Sequence, residues 1–227
     1  MQRTTSTLLT VFAFATLGHA QNVLQRTLQN DTMPNLVANP GFEETVRLYC
    51  KWTTDPAKFN TNMGSWNSPT QTTPDHFSTK SDPECWSHPS KHSSGKDSPH
   101  GGSAMVGIKT YGKGNTPTYW HEYIQSELPV PLEAGRRYIA ECWTRRAYRS
   151  NEASNNIGIA FINSPISTRD CLPLYLTPNV NEEKVEKSGW HKVSGVFDAT
   201  GEESYVLIGN FYGDENTAHE KQPQGER

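Results

Sequence analysis

The chain has 227 residues, which suits one domain of ordinary size with a hydrophobic core. Its composition is polar and rich in Gly, Pro, Ser, Thr and Asn, with many Trp and Tyr residues, as in all-β proteins with many turns. The formal net charge is -3 and the sequence has no basic stripe, which argues against a nucleic-acid partner.

Residues 1–20 have the pattern of a secretory signal peptide. Arg3 gives a positive start, residues 8–17 are an almost unbroken apolar run, and the small Gly18 and Ala20 stand where a signal peptidase reads. The run is too short to span a bilayer, and a short membrane anchor is the alternative. We therefore expect a mature chain that does not span the membrane and is exported to the periplasm, the cell surface or the extracellular space.

Four cysteines follow the predicted signal peptide: Cys50, Cys85, Cys142 and Cys171. An even number in an exported chain favours disulfides, and four cysteines allow three pairings. We predict Cys50 with Cys85, which brackets a long irregular segment, and Cys142 with Cys171. The second pair competes with the interpretation of Cys142 as a small buried residue of its own strand.

The mature chain divides into three predicted parts. Residues 21–34 are expected to be a flexible leader, residues 35–212 a β-sandwich, and residues 213–227 a polar tail. Within the sandwich, an insertion at about 50–102 shows neither helical nor strand periodicity. Irregular stretches of this length inside a compact domain are often functional.

The stretch from Tyr119 to Ala147 predicts two strands joined by a turn that contains prolines and a glycine. Alternation over residues 119–128 predicts a half-buried strand, with Trp120 and Ile124 on one face and His121 and Tyr123 on the other. The second strand is predicted at residues 137–144. Its Tyr138, Ala140 and Cys142 share one face, and Ile139 and Trp143 share the other.

The same criteria predict further strands and turns along the chain. Asn39-Pro40-Gly41 is predicted to be a turn. The last two strands are expected to pair with each other through residues 200–202, and residues 181–188 are expected to be a charged loop. The further predicted strands are 36–37, 103–110, 156–162, 172–176, 190–199 and 204–212.

Three segments carry a resemblance to a known family: NLVANPGFEE at 35–44, EYIQSELPVPLEAGRRYIAECWTRRA at 122–147 and GWHKVSGVFDATGEESYVLIGNF at 189–211. In this order and spacing they resemble galactose-binding-like jelly-roll domains, from which many carbohydrate-binding modules are built. A closer resemblance is to exported bacterial envelope proteins in which such a domain precedes an OmpA-like domain. There, a stretch similar to Thr73-Pro74-Asp75-His76-Phe77 comes before a cysteine, here Cys85.

The resemblance implies a jelly-roll β-sandwich over about residues 35–211. Such domains usually close with a further strand that returns beside the first, and the polar sequence after residue 212 has no such pattern. We therefore expect a sandwich that lacks its closing strand, either because the chain is a fragment or because another chain supplies the strand. An unclosed sandwich would leave an edge or an apolar groove uncovered.

Two metal sites can be considered. Many domains of the resembled fold hold a structural calcium near the first turn, where Glu43 or Glu44 could supply an oxygen ligand. The alternative is that both are solvated charges at a strand end. Cys85, His88 and His92 have ligand types that suit zinc, but an exported cysteine is more often in a disulfide, so a polar loop is the simpler interpretation.

Aromatic side chains in the predicted loops are candidates for binding a glycan. An apolar sugar face stacks on a flat ring while its hydroxyls reach polar neighbours. The candidates are Trp52, Trp66, Trp86 and Trp120, with Asn67, Asp75 or His121 as polar partners. The alternative is that these rings anchor the long loop to the sandwich, whereas Trp143 and Trp190 are predicted to be core or sheet-surface residues.

The sequence offers little for catalysis. It contains no G-x-S-x-G elbow, P-loop, dinucleotide fingerprint or H-E-x-x-H motif. Glu122 and Glu141 on neighbouring predicted strands could form the acid pair of a glycan hydrolase, although strand charges usually face solvent. We predict a non-catalytic module that binds a glycan, with a structural or protein-interaction domain of an envelope protein as the alternative.

Overall fold

A computed structural model describes residues 34–93, 97–112, 120–148, 150–171, 173–185 and 188–221. The predicted signal peptide and nearly all of the predicted leader lie outside these residues. One compact unit begins at Leu36 and contains every helix and strand given below. Within the described part of the chain, no helix is long and apolar enough to cross a membrane.

Strands dominate the structure, which confirms the predicted all-β class. The two helices of the described residues are α1 (Pro56–Met63) and α2 (Pro89–Ser93), and a 3-10 turn spans Asp214–Asn216. The strands are β1 (Trp66–Asn67), β2 (Asp75–Ser78), β3 (Ala104–Gly107), β4 (Ile124–Glu127), β5 (Arg137–Thr144), β6 (Glu152–Ser154), β7 (Ile157–Ile162), β8 (Val180–Glu182), β9 (His191–Asp198), β10 (Tyr205–Asn210) and β11 (His219–Lys221).

The largest sheet has five antiparallel strands in the order β1-β4-β10-β7-β8. Its register places Ile208 opposite both Ile124 and Ile159 in the middle of the sheet. Three two-stranded sheets accompany it, formed by β2 with β3, β5 with β9, and β6 with β11.

The β5–β9 sheet packs face to face on the five-stranded sheet, and this contact forms the main core. Phe161 of β7 and Phe197 of β9 stack with ring centroids 4.7 Å apart. Gly195 allows the two layers to approach closely, because a Cβ there would lie 2.8 Å from Val180 Cγ2. The architecture is therefore sandwich-like, as predicted.

The predicted faces of β5 are confirmed. Ala140 is buried against the main core, and Tyr138 and Cys142 pack against the same cluster. Ile139 and Trp143 point outward and keep 54% and 40% of their surface exposed. Local alternation was sufficient here because only one face of this two-stranded sheet is covered.

The half-buried interpretation of residues 119–128 is wrong. Tyr123, just before β4, and Ile124, its first residue, are both buried, although they face opposite sides. The second side is covered by the segment around Ile166, whose backbone N–H donates to Gln125 Oε1 at 2.8 Å. A long-range loop therefore buries a face that the local pattern assigned to solvent.

The predicted hairpin between the last two strands does not form. β9 pairs with β5, whereas β10 pairs with β4 and β7 in the other sheet. Residues 200–202 instead carry the chain from one layer to the other. The carboxylate of Glu203 fixes this crossing by accepting hydrogen bonds from the backbone N–H groups of Thr200, Gly201 and Glu202.

The region predicted to be an irregular insertion contains short regular elements. Asp55 caps α1 by accepting a hydrogen bond from Ala57 N, and Pro56 occupies the first position, where no intrahelical donor is needed. α2, β1 and β2 also lie in this region. These elements are too short to show a period in the sequence.

Several other boundaries differ from the prediction. Residues 36–37 form no strand, although the turn at Asn39 is present and Phe42 N donates to Asn39 O at 3.1 Å. Residues 173–176 also form no strand, and residue 172 lies outside the described residues. The predicted charged loop at 181–188 begins within β8.

The segment predicted to be a polar tail contains regular structure within its described residues, 213–221. β11 pairs with β6, and Asn156 Nδ2 donates to Asn216 O at 3.0 Å. Asp214 accepts from Gly112 N and contacts His121. Polar contacts to distant residues therefore hold a segment that has no apolar pattern of its own.

Candidate functional site

Two exposed tryptophans form a pair at the surface of the sandwich. Trp52 and Trp86 keep 40% and 39% of their surface exposed, and their rings stack with centroids 6.2 Å apart and planes 28° apart. The buried Phe77 of β2 meets Trp52 edge to face at 5.9 Å. The pair therefore rests on the β2 strand and presents ring surface to solvent.

A disulfide brings the two rings together. Cys50 and Cys85 are bonded, as predicted, and lie two positions and one position before Trp52 and Trp86 respectively. Trp86 N also donates to Cys50 O at 2.8 Å. Two chain segments 35 positions apart in sequence are thus joined at the base of the ring pair.

Asp75 lies next to this pair. Its Oδ1 accepts a hydrogen bond from the N–H of Thr53, the residue after Trp52, at 2.6 Å. Asp75 and Phe77 are two positions apart on β2 and share one side of the strand. Burial raises the pKa of Asp75 to about 6, and the negative charge of Glu122 acts in the same direction, although the Thr53 N–H favours the ionised form.

Glu122 is a buried residue whose carboxylate joins three parts of the chain by hydrogen bonds, and it is not part of an exposed acid pair. Its Oε1 accepts from Thr73 N and Trp120 Nε1, each at 3.2 Å, and its Oε2 accepts from Lys109 N at 2.9 Å. Burial raises the pKa of Glu122, although these N–H donors favour the charged form. The other acid of the predicted pair, Glu141, lies on the exposed face of β5 and pairs with Lys192 at 3.2 Å, so the two carboxylates belong to different environments.

Two of the predicted ligand-binding residues lie in the core instead. Trp66 is only 2% exposed, and its Nε1 donates to Asn39 O at 3.0 Å. His121 is fully buried between Asn210 O and Asp214 Oδ1. Neither ring offers surface to a ligand, and both stabilise the fold.

The two remaining candidates, Trp120 and Asn67, form hydrogen bonds within the fold. Trp120 is half-buried and donates to Glu122, which connects it indirectly to the Asp75 region. Asn67 Oδ1 accepts from Gln125 Nε2 at 3.2 Å, so it supports the pairing of β1 with β4.

A second aromatic cluster, which the sequence did not indicate, lies at the end of the β5–β9 sheet. His100 stacks on Trp143 with centroids 3.8 Å apart and meets Trp190 at 5.8 Å. Lys192 Nζ lies 5.5 Å from the centroid of the Trp143 ring, and Arg145 lies 5.7 Å from that of Trp190. These rings already have partners within the chain, so the cluster anchors the loop at His100 to the sheet.

Glu43, near the first turn, joins the start of the domain to β3 and to Lys80. It accepts hydrogen bonds from Ser103 N, Ser103 Oγ and Ala104 N, and its Oε2 lies 2.8 Å from Lys80 Nζ. The Lys80 ammonium and then Ser103 hold the pKa of Glu43 at about 2. Glu44, by contrast, is exposed. A calcium ion at Glu43 would have to displace these donors.

The described residues contain no group of three or more His, Cys, Asp or Glu side chains arranged to hold a metal. The sulfur of Cys85 is in the disulfide and is not a thiolate ligand. His88 Nδ1 contacts Ser90 Oγ at 2.6 Å, and the side chain of His92 lies outside the described residues. The arrangement of Cys85 and His88 thus favours a polar loop over a zinc site.

The predicted pairing of Cys142 with Cys171 is wrong, since both are free thiols. Cys142 lies on the inward face of β5 and packs against the main core, and burial raises its pKa to about 12. Cys171 lies in a loop, and its own backbone carbonyl accepts a hydrogen bond from His121 N at 3.3 Å. The two residues belong to different parts of the fold, and Cys142 is the small buried strand residue of the alternative interpretation.

No protein-family model matches this sequence, and no curated protein is significantly similar to it.

Proposed function

We propose that this chain is an exported, non-catalytic module that binds a glycan through the exposed Trp52–Trp86 pair. The observation that carries the proposal is the geometry of that pair. Two adjacent indole rings are held at the surface by the Cys50–Cys85 bridge, next to a carboxylate at Asp75. The proposal includes membership of the galactose-binding-like jelly-roll type, for which the sandwich-like architecture is a necessary condition.

Ring pairs of this kind suit sugars for a physical reason. The C–H faces of a pyranose are apolar and gain free energy by leaving water against an indole ring. The sugar hydroxyls then need hydrogen-bond partners at the rim, and a carboxylate such as Asp75 accepts from them. Trp52 and Trp86 would supply the stacking surface and Asp75 the polar contact.

The disulfide supports export. Disulfides persist in oxidising compartments such as the periplasm and the extracellular space, and are rare where cytosolic thiols keep cysteines reduced. The Cys50–Cys85 bridge agrees with the predicted signal peptide at residues 1–20. We place the site of action at the cell envelope or outside the cell.

Intrinsic tryptophan fluorescence, titrated with envelope and plant polysaccharides, tests the function. A glycan module gives a saturable shift that Trp52→Ala and Trp86→Ala each abolish. Trp143→Ala is a matched control, because Trp143 is also 40% exposed but belongs to the other aromatic cluster. A panel that produces no shift, or a shift lost equally in the Trp143 variant, contradicts the proposal.

A protein-interaction role is the second candidate, and one observation favours it. Ile139 and Val196 lie directly opposite each other on the outward face of the β5–β9 sheet and are 54% and 57% exposed. Exposed apolar pairs on a flat sheet face are common at protein interfaces. Substitution of both by Ser would weaken such an interaction and leave glycan binding unchanged.

A further inference from the structure

The charges around the Trp52–Trp86 pair point to the class of glycan that this surface accepts. Asp75 accepts a hydrogen bond from the Trp52 segment, through Thr53 N. The surface charges before and after Trp86 neutralise each other, because Glu84 and Lys91 form an ion pair at 2.7 Å. Among the described residues, no salt bridge joins Asp75 to a cation.

A second carboxylate lies behind the first. Glu122 faces Asp75 from the segment that precedes β4, and its charge is felt at Asp75. Burial raises the pKa of Glu122, whereas three N–H donors and the positive charge of Lys109 favour its ionised form. On the same strand as Asp75, His76 turns the other way and contacts Phe42 O at 3.0 Å. Asp75 therefore places a negative charge beside the Trp52 segment, with Glu122 behind it, and the exposed Lys51, which precedes Trp52, is a cation on that segment.

We propose that Asp75 makes the Trp52–Trp86 surface selective for uncharged glycans and against glycans that carry carboxylates, and that acidic pH relieves this selectivity. The inference rests on the proposed glycan-binding function. A neutral sugar stacked on Trp52 donates its hydroxyls to Asp75. A uronate in the same position brings a second negative charge to within a few ångströms, which weakens binding by about five-fold where water screens the two charges.

The pH dependence follows from the titration of Asp75. Its pKa is raised to about 6, so the carboxyl group is ionised at pH 7.5 and mostly protonated at pH 5. A sugar carboxylate with an ordinary carboxyl pKa stays ionised at both values. The repulsion is therefore present at pH 7.5 and weak at pH 5, although the charge of the glycan is unchanged.

Calorimetric titration with matched probes tests the selectivity. The probes are gluco-, galacto- and N-acetylgluco-oligosaccharides, and gluco- and galacto-oligosaccharides oxidised at C6 to uronates. For the wild type at pH 7.5 we expect the neutral form to bind about five-fold more tightly than its uronate. At pH 5 this ratio should fall to within about two-fold, because Asp75 is then mostly protonated.

Asp75→Asn is the decisive variant, since the amide oxygen can still accept from Thr53 N but cannot ionise. We expect it to bind both forms with similar affinity at both pH values. Asp55→Asn is the matched control, because it removes an exposed carboxylate three positions from Trp52, keeps an oxygen that accepts from Ala57 N, and leaves Asp75 untouched. If Asp75→Asn keeps the wild-type ratio, or Asp55→Asn loses it, Asp75 does not determine the selectivity.

A measurement without glycan separates this inference from the function on which it rests. Protonation of Asp75 should change the tryptophan fluorescence of the wild type with a midpoint near pH 6, and Asp75→Asn should lack this transition. Glycan binding without selectivity overturns the inference alone. If no oligosaccharide binds, both the function and the selectivity are overturned, whatever the fluorescence shows.

Discussion

His121 Nε2 and Asp214 Oδ1 lie 2.8 Å apart and join the segment before β4 to the turn before β11. The other ring nitrogen of His121 contacts Asn210 O at 3.1 Å. Both partners are oxygen atoms that can accept a hydrogen bond. A residue that the sequence suggested for ligand binding thus anchors the turn before β11.

The anchoring role of His121 predicts a large effect of its removal. His121→Ala leaves Asp214 and Asn210 O without their buried partner, so we expect the free energy of unfolding to fall by about 2–4 kcal/mol. Amide hydrogen exchange over residues 214–221 should become faster than in the wild type. His219→Ala is the control, since His219 is exposed and stacks on Tyr111 at the surface. Equal effects of the two substitutions would contradict the anchoring role.

The crossing between the two sheets should depend on Glu203. This buried side chain accepts from three backbone N–H groups and from Thr200 Oγ1, so Glu203→Ala leaves those donors unpaired. We expect a loss of about 2–3 kcal/mol in chemical unfolding. Glu202→Ala, at the exposed neighbouring position, should cost less than about 0.5 kcal/mol. A Glu203 variant as stable as the Glu202 variant would show that the turn forms without this carboxylate.

The ion pair of Glu43 with Lys80 predicts a dependence of stability on acid. The pKa of Glu43 is lowered from 4.5 to about 2, so its contribution is complete above pH 4.5 and is lost as the pH falls towards 2. Glu43→Gln should therefore be less stable than the wild type by about 1–2 kcal/mol at pH 6 and equally stable near pH 2. Thermal unfolding across this range measures the difference. Glu44→Gln should match the wild type throughout, and a difference that persists at pH 2 would refute the assignment.

The two free thiols should react very differently. Cys171 is half-buried in a loop. Cys142 faces the core and has a pKa of about 12, so only a very small fraction of the Cys142 thiol is ionised at pH 8. Iodoacetamide should label Cys171 in the native protein and Cys142 only after unfolding. Peptide mapping without reduction would detect this and would show the Cys50–Cys85 bridge. A Cys142–Cys171 crosslinked peptide would contradict the structure.

The disulfide should matter for both stability and ring geometry. The double substitution Cys50→Ala and Cys85→Ala removes a crosslink between residues 35 positions apart. Because the crosslink restricts the entropy of the unfolded chain, we expect the free energy of unfolding to fall by about 4 kcal/mol. We also expect the near-ultraviolet circular dichroism of the stacked Trp52 and Trp86 rings to weaken. Cys171→Ala controls for loss of a sulfur without loss of a crosslink. An unchanged dichroism signal would mean that the Trp86 N to Cys50 O hydrogen bond alone holds the pair.

Local patterns in the sequence were sufficient where one chain segment decides the outcome. Alternation predicted which residues of β5 face inward, such as Ala140, and which face outward, such as Ile139. The abundance of turn residues and the absence of helical periodicity predicted the all-β class. The spacing of Cys50 and Cys85 around a loop region predicted their disulfide, which the structure contains.

Tertiary structure alone decided which aromatic residues are exposed. Trp66 and Trp86 have the same chemistry and similar polar neighbours in sequence, yet one is in the core and the other is at the surface. The same holds for Tyr123, which is buried by a loop more than forty positions away through Leu174 N and its neighbours. Burial depends on what a distant part of the chain places over a side chain, and no local period carries that information. The sequence by itself therefore determined the class of fold and the two faces of β5, whereas long-range packing determined the site.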